Sequence, residues 1–132
     1  MSELKELIPG SEHWPKLERN NSNRFEARMV QVKINKSNSN FFNGMEGSQL
    51  LVPVNHGEGK MIFPAHLSAK KIISDNLAPV QFCTNKGIEA KEFPENPNGS
   101  TNGITAVTND DGRFLIMMPH PERSFLNNQL SW

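Results

Sequence analysis

Short hydrophobic runs, separated by stretches rich in Asn, Gly and Pro, predict a series of short strands and helices joined by loops. Residues Phe25–Ile34 alternate between hydrophobic and other side chains, and a change of phase near Met29 predicts a bulge in that strand. Residues 48–54 are almost continuously apolar, which is typical of a strand covered on both faces. Pro53 cannot donate to a ladder, so it is expected at a sheet edge or a strand end.

The same pattern predicts further strands at residues 60–63, 79–84, 88–93, 104–108 and 113–118. Residues 109–112 connect the last two as a hairpin turn, in which Gly112 is expected to be left-handed. Strand 113–118 is apolar throughout, which favours a central place in the sheet. Helical spacing predicts one helix over residues 4–8 and a second over residues 66–75.

Composition narrows the class of protein. The chain has 132 residues with 14 Lys plus Arg and 14 Asp plus Glu, and this zero net charge argues against a general nucleic-acid binder. No apolar run is long enough to span a bilayer, and the N-terminus lacks the pattern of a signal peptide. One cysteine, Cys83, excludes an internal disulfide and a cysteine-rich zinc site. We therefore expect a cytoplasmic protein without a nucleic-acid partner, membrane partner or metal site.

His120 and Glu122 are the strongest candidates for chemistry. Residues i and i+2 of an extended chain point to the same side, so the carboxylate can orient the imidazole and stabilise its charged form. Pro119 and Pro121 fix φ around the pair. The pair also follows a predicted strand, where α/β sheets carry their sites. An exposed turn with a chance His and Glu is the alternative that these residues alone leave open.

The glycine-rich stretch 55–60, with the sequence NHGEGK, is a second candidate site. Gly57 and Gly59 allow a close backbone approach to a ligand or a positive φ, although a tight turn between two strands explains them equally well. Cys83 lies inside a predicted strand without the exposed, electropositive setting of a nucleophile, so a packed side chain is expected. Surface or capping roles are expected for the two remaining histidines, His13 and His66.

Several blocks resemble, in order, the glutaminase domain of phosphoribosylformylglycinamidine synthase in its large single-chain form. The blocks are LKELIPGSEHWP at 4–15, RFEAR at 24–28, VNHGEGK at 54–60, NPNGSTNGITAVT at 96–108, GRFLIMMPHPER at 112–123 and SW at 131–132. A single block such as HPE is unspecific, but the combination points to this enzyme and spans nearly the whole chain. The resemblance implies a class I glutamine amidotransferase domain with a flavodoxin-like α/β/α fold.

The resemblance also implies a reaction. A Cys-His-Glu triad hydrolyses glutamine, and the ammonia passes to a synthetase domain that uses ATP and Mg²⁺ to convert formylglycinamide ribonucleotide to the amidine. His120 matches the general base and acid, Glu122 matches its orienter, and His56 with Gly57 is placed near the glutamine site. The implied partners are glutamine and the synthetase and remaining amidotransferase parts of the same enzyme. Asn98 and Gly99 lie in another of the family blocks, but the resemblance assigns them no contact.

One part of the family pattern is absent from this sequence. The family nucleophile stands in a motif like G-x-C-N-G-x-Q just before the helix that ends in LKELIPG, and the sequence starts inside that helix. The strands before it, and the loop expected to supply an oxyanion hole, are absent too. We therefore expect residues 1–132 to be the C-terminal portion of the domain, without cofactor and inactive alone. A nonenzymatic remnant or interaction module that docks on a synthetase partner is the alternative.

Overall fold

The computed structural model describes residues 5–64 and 68–130. Strands and helix, in chain order, are β1 (Lys16–Glu18), β2 (Glu26–Ile34), β3 (Gln49–His56), β4 (Lys60–Ile62), α1 (Ala69–Ser74), β5 (Val80–Phe82), β6 (Ile104–Thr108) and β7 (Leu115–Met117). Short 3-10 turns lie at Asn40–Phe42, Thr101–Gly103, Pro121–Arg123 and Asn127–Gln129. None of the helices in these two ranges has the length and hydrophobicity that a membrane crossing requires.

A five-stranded sheet in the order β3-β2-β5-β6-β7 dominates the described chain, and every neighbouring pair in it is antiparallel. β1 and β4 pair separately as a two-stranded antiparallel ribbon. β6 is buried along its whole length, whereas the residues of β7 are only half-buried. The prediction that strand 113–118 is central is therefore wrong for the described sheet. β7 has a neighbour on one side only, and β6 takes the covered position.

The predicted bulge near Met29 is wrong. β2 and β3 pair without a register shift from Glu26 opposite His56 to Lys33 opposite Gln49. The apparent change of phase in the sequence has another cause, because Glu26 lies on the same buried face as the valines that follow it in β2. The irregular register occurs instead between β5 and β6.

β3 is an edge strand, which confirms the placement of Pro53. The prediction that both faces of this strand are covered is wrong. Leu51 is 41% exposed, while Val52 and Val54 point into the core. Although the sequence of β3 is almost continuously apolar, the described residues cover only one face of this strand and leave the other open.

Two hydrophobic clusters pack the sheet. One joins the buried residues of β2, β3 and β5 with Ala90 and Ala106: Val30, Val32, Ile34, Val52, Val54, Val80 and Phe82. The other joins α1 to β4 and β6 and is formed by Trp14, Met61, Ala69, Ile72, Leu77, Ala78, Ile104 and Val107. Because β6 contributes to both clusters, its hydrophobic side chains are buried on both faces.

Several local predictions can be compared with the described elements. The hairpin at 104–118 is confirmed, with Gly112 at φ 74°. The second helix is confirmed over Ala69–Ser74, and its predicted residues 66 and 67 lie outside the described residues. Residue 4 of the first predicted helix lies outside them too, and residues 6–10 form turns and bends.

The return strand predicted at 88–93 is wrong. A single bridge between Cys83 and Glu89 replaces it, and the Ala90 N–H donates to the Phe82 carbonyl at 3.0 Å. Ala90 is drawn into the core there, so the segment leaves the sheet before a second pair forms. The surface role expected for His13 is also wrong, because the side chain is buried and its Nε2 lies 2.9 Å from the Thr108 carbonyl. His66 lies outside the described residues.

Candidate active site

His120 and Glu122 meet in the turn that follows β7. The distance from His120 Nδ1 to Glu122 Oε1 is 2.7 Å. The pair lies at a 3-10 turn over Pro121–Arg123 rather than in extended chain, so turn geometry brings the two side chains together. The His120 backbone N–H donates to the Pro53 carbonyl at 2.8 Å, which attaches the turn to β3.

The environment of the Glu122 carboxyl favours its ionised form. A hydrogen bond from its own backbone N–H, and then the bond to the His120 ring, lower the pKa of Glu122. Arg123 adds a weak attraction, with its Nε 3.8 Å from Glu122 Oε1. Glu122 is therefore a carboxylate at neutral pH and can fix the orientation of the imidazole, although its exposure lets solvent screen the interaction.

His56 lies at the end of β3, directly opposite Glu26 on β2. The residue is 8% exposed, and neither ring nitrogen has a hydrogen-bond partner within the described ranges. Burial, followed by the nearby charge of His120, lowers the pKa of His56. The ring is therefore neutral at physiological pH, with one donor and one acceptor available for a ligand. The two histidines that the sequence treated separately share one region of the protein.

Gly59 allows the His56 ring to occupy this place. A Cβ added at Gly59 would overlap the imidazole, whereas one added at Gly57 would meet only Phe25, at 3.9 Å. Neither glycine has a positive φ. The close approach that the sequence predicted for a ligand is thus made, at Gly59, by a side chain of the same loop.

Two buried asparagines hold the loop that contains His56. Asn20 Nδ2 donates to the His56 carbonyl at 2.7 Å and to the Arg24 carbonyl at 2.9 Å, while its Oδ1 accepts from the Gly59 N–H at 3.3 Å. Asn98 Nδ2 donates to the Gly59 carbonyl at 2.7 Å. The sequence assigned no contact to Asn98 and did not single out Asn20. The available signal for Asn98 was its place in the block at 96–100, whereas no local pattern identifies Asn20 as a contact of the His56 loop.

The segment 96–100 forms a hydrogen-bonded turn around Asn96. Its Oδ1 accepts from the N–H groups of Gly99 and Ser100, each at 3.1 Å. The Ser100 hydroxyl donates to Asn98 Oδ1 at 2.7 Å and accepts from the Met61 N–H at 3.0 Å. The turn therefore connects Asn98, and through it the His56 loop, to β4.

Cys83 lies at the end of β5 and is 1% exposed. Burial raises the pKa of its thiol, and Lys33 offsets part of that effect. A nucleophilic cysteine requires the opposite change, because the thiolate is the reactive form. Within residues 5–64 and 68–130, no three His, Cys, Asp or Glu side chains are grouped closely enough to hold a metal ion.

Protonation of His56 is expected to destabilise the fold. Because the folded pKa is lowered, the unfolded chain takes up the proton first, so stability falls as pH falls below about 6.5. Urea unfolding at about pH 7.5 and about pH 5.5 should show that the free energy of unfolding falls by up to about 1.4 kcal/mol per pH unit below the unfolded pKa. His56→Gln should remove the contribution of His56 to this fall. An unchanged pH dependence in His56→Gln would contradict the prediction.

Comparison with known proteins adds two findings. A family model described as a CobB/CobQ-like glutamine amidotransferase domain matches residues 1–132. The chain also resembles a solved structure described as PurLQS from Thermotoga maritima, with 22% sequence identity and a TM-score of 0.66. The match covers 87% of this chain and 45% of that chain, so this chain spans less than half of its structural relative. The fold class predicted from the sequence, part of an amidotransferase domain, is confirmed.

Proposed function

Because this chain belongs to the CobB/CobQ-like glutamine amidotransferase family, we propose that it supplies the His–Glu part of a glutaminase site in phosphoribosylformylglycinamidine synthase. The observation that carries the proposal is the 2.7 Å contact between His120 Nδ1 and Glu122 Oε1. In this proposal residues 1–132 form the C-terminal portion of the glutaminase domain. The resemblance of the sequence blocks selects the purine enzyme among amidotransferases.

His120 acts as the general base and acid in the proposed reaction. With Nδ1 engaged by Glu122, the free Nε2 exchanges protons. It takes the proton of a cysteine thiol supplied by the remaining amidotransferase part, and the thiolate attacks the glutamine side-chain amide. The same proton then passes to the leaving ammonia. A water activated by His120 cleaves the thioester, which releases glutamate and returns the thiol.

His56 and Gly57 are proposed to contact glutamine. The buried, neutral His56 ring has unsatisfied nitrogens, and a buried polar group without a partner is costly unless a ligand or water satisfies it. Gly57 follows it in the same loop and is only partly buried, so its backbone is accessible to a small ligand. Asn20 and Asn98 support the position of this loop, because both donate to its backbone carbonyls.

The released ammonia is proposed to serve a synthetase partner. That partner uses ATP and Mg²⁺ to amidinate formylglycinamide ribonucleotide, so both cofactors belong to the partner rather than to this chain. A cytoplasmic location fits this role. Glutamine and the synthetase are the proposed substrate and partner of the assembled enzyme.

Ammonia release from glutamine tests the proposal. The purified chain alone should give background turnover, and it should do so equally with Cys83→Ala. Addition of the cysteine-bearing amidotransferase part and the synthetase should restore turnover. In that assembly, His120→Ala should lower kcat by about 10³-fold or more, since triad members act as a unit.

The matched control is Glu46→Gln, which removes an exposed carboxylate outside the candidate site and should leave turnover unchanged. Glu122→Gln should lower kcat because it removes the acceptor that orients the ring. Robust turnover of the isolated chain that persists in Cys83→Ala, or full activity of the assembled His120→Ala enzyme, would rule out the proposed role.

A further inference from the structure

A large open cleft in the described chain lies apart from the His120–Glu122 pair. Its volume is about 770 Å³, and it opens between the segments 21–28 and 91–99. Neither His120 nor Glu122 lines it. Its size falls in the range of small-molecule pockets, roughly 300–1,000 Å³. The cleft therefore does not include the proposed catalytic pair.

Two aromatic rings line this cleft and remain exposed. Phe25 is 64% exposed and Phe93 is 59% exposed. The Arg28 guanidinium lies 4.4 Å from the centroid of the Phe93 ring and is itself held by Glu26 at 3.1 Å. Phe93 is thus positioned before any ligand arrives, which lowers the ordering cost of stacking against it.

Charged and amide side chains that can bind a ligand surround these rings. Arg24 and Lys91 line the cleft, and no carboxylate within residues 5–64 and 68–130 forms an ion pair with either. Asn21 adds an exposed side-chain amide, and Glu92 adds an exposed carboxylate. Aromatic faces beside cations suit a flat base that carries a phosphate, while the carboxylate can accept from sugar hydroxyls.

We propose that this cleft binds a nucleoside phosphate. The base stacks on Phe25 and Phe93, and the phosphate lies against Arg24 and Lys91. Glutamine has no aromatic group to use these rings, so the cleft is not a second glutamine site. The inference does not depend on the proposed glutaminase role, since the cleft and its lining belong to this chain alone.

Binding in the cleft has a structural route to the His56 loop. Asn20 bonds both the Arg24 carbonyl at the cleft wall and the His56 carbonyl. The Asn21 backbone N–H donates to the Asn98 carbonyl at 3.1 Å, and Asn98 in turn bonds Gly59. A ligand that orders the cleft wall would therefore also order the loop that carries His56.

Titration of the 132-residue chain with AMP, followed by calorimetry and by ¹H–¹⁵N NMR, tests the proposal. We expect saturable binding that weakens with added salt, with shifts centred on residues 21–28 and 91–99. Phe93→Ala should weaken AMP binding about tenfold, the effect of losing one base-stacking contact. Arg24→Ala and Lys91→Ala should each weaken it as well, and should reduce its salt dependence.

Matched controls separate the cleft from the general surface. Phe41→Ala removes a ring that is 60% exposed outside the cleft, and Lys36→Ala removes an exposed cation there, so neither should change AMP affinity. Circular dichroism melts establish that each variant folds. Adenosine and inorganic phosphate should each bind more weakly than AMP.

Three results would overturn the proposal. They are absence of saturable AMP binding to the folded chain, phosphate binding as tight as AMP binding, and AMP affinity unchanged in both Phe93→Ala and Arg24→Ala. Tighter binding of a short peptide rich in Glu and Phe than of AMP would assign the cleft to a protein partner instead. Failure of the glutaminase assay would leave the AMP result unaffected, so the two proposals can be distinguished.

Discussion

Gly112→Ala is expected to destabilise the fold by about 2–5 kcal/mol. Gly112 lies in the β6–β7 turn at φ 74°, a conformation that costs a residue with a side chain about 1–2 kcal/mol. A Cβ there would also overlap the backbone carbonyl of Asn38, and overpacking of this kind costs about 1–3 kcal/mol more. The Asn38 segment cannot simply withdraw, because the Asn40 N–H donates to the Gly112 carbonyl at 3.0 Å.

Gly44→Ala is the matched control for this prediction. Gly44 has φ 79°, yet nothing lies within 4 Å of an added Cβ. Gly44→Ala should therefore lower the free energy of unfolding only by the conformational cost, about 1–2 kcal/mol. Urea unfolding of both variants, compared by midpoint at equal m, separates the two causes. Equal losses in Gly112→Ala and Gly44→Ala would show that the contact with Asn38 carries no energy.

Gly59→Ala is expected to displace the His56 ring and to destabilise the chain by about 2–3 kcal/mol. An added Cβ would overlap the buried imidazole, and the backbone cannot shift easily. The Gly59 N–H and carbonyl are bonded to Asn20 at 3.3 Å and to Asn98 at 2.7 Å. In an assembled enzyme the same change should raise KM for glutamine, because the proposed glutamine contact moves.

Gly57→Ala serves as the comparison, since its Cβ would make an ordinary contact with Phe25 at 3.9 Å. It should leave the stability nearly unchanged. NMR of the imidazole resonances is the direct readout, because a shifted His56 ring changes its chemical shifts and its titration. If Gly59→Ala leaves the His56 resonances in place, the ring does not depend on the absence of a side chain at Gly59.

Local sequence patterns predicted the strands better than their places in the sheet. The alternation in 25–34 and the Asn–Asp–Asp–Gly turn at 109–112 depend on neighbouring residues, and both elements formed. Strand 88–93 did not form, although its alternation was as clear, because Ala90 is buried against β5. Whether a segment is central, or paired at all, depends on which distant residues cover it.

In the candidate site, too, some features depend on neighbouring residues and others on residues far apart in the sequence. The proximity of His120 and Glu122 spans two positions and was predicted from the sequence, although a 3-10 turn rather than an extended chain brings the side chains together. The His120 turn is bonded to Pro53 in β3, the strand that ends in His56, so the proximity of the two histidines depends on a contact between distant parts of the chain. The contacts that hold the His56 loop join residues 36 and 39 positions apart, which no local pattern specifies.

The sequence by itself determined the hairpin and the proximity of His120 to Glu122, because turn chemistry and a separation of two residues are local features. Its blocks also resemble the amidotransferase family whose model matches the chain. Only the tertiary structure decided that His56 is buried with free ring nitrogens, that Gly59 makes room for it, and that the cleft lined by Phe25 and Phe93 excludes His120 and Glu122. The physical reason is that burial and hydrogen bonding are set by residues brought together across the sheet. Their partners are chosen by packing, which one-dimensional periodicity does not record.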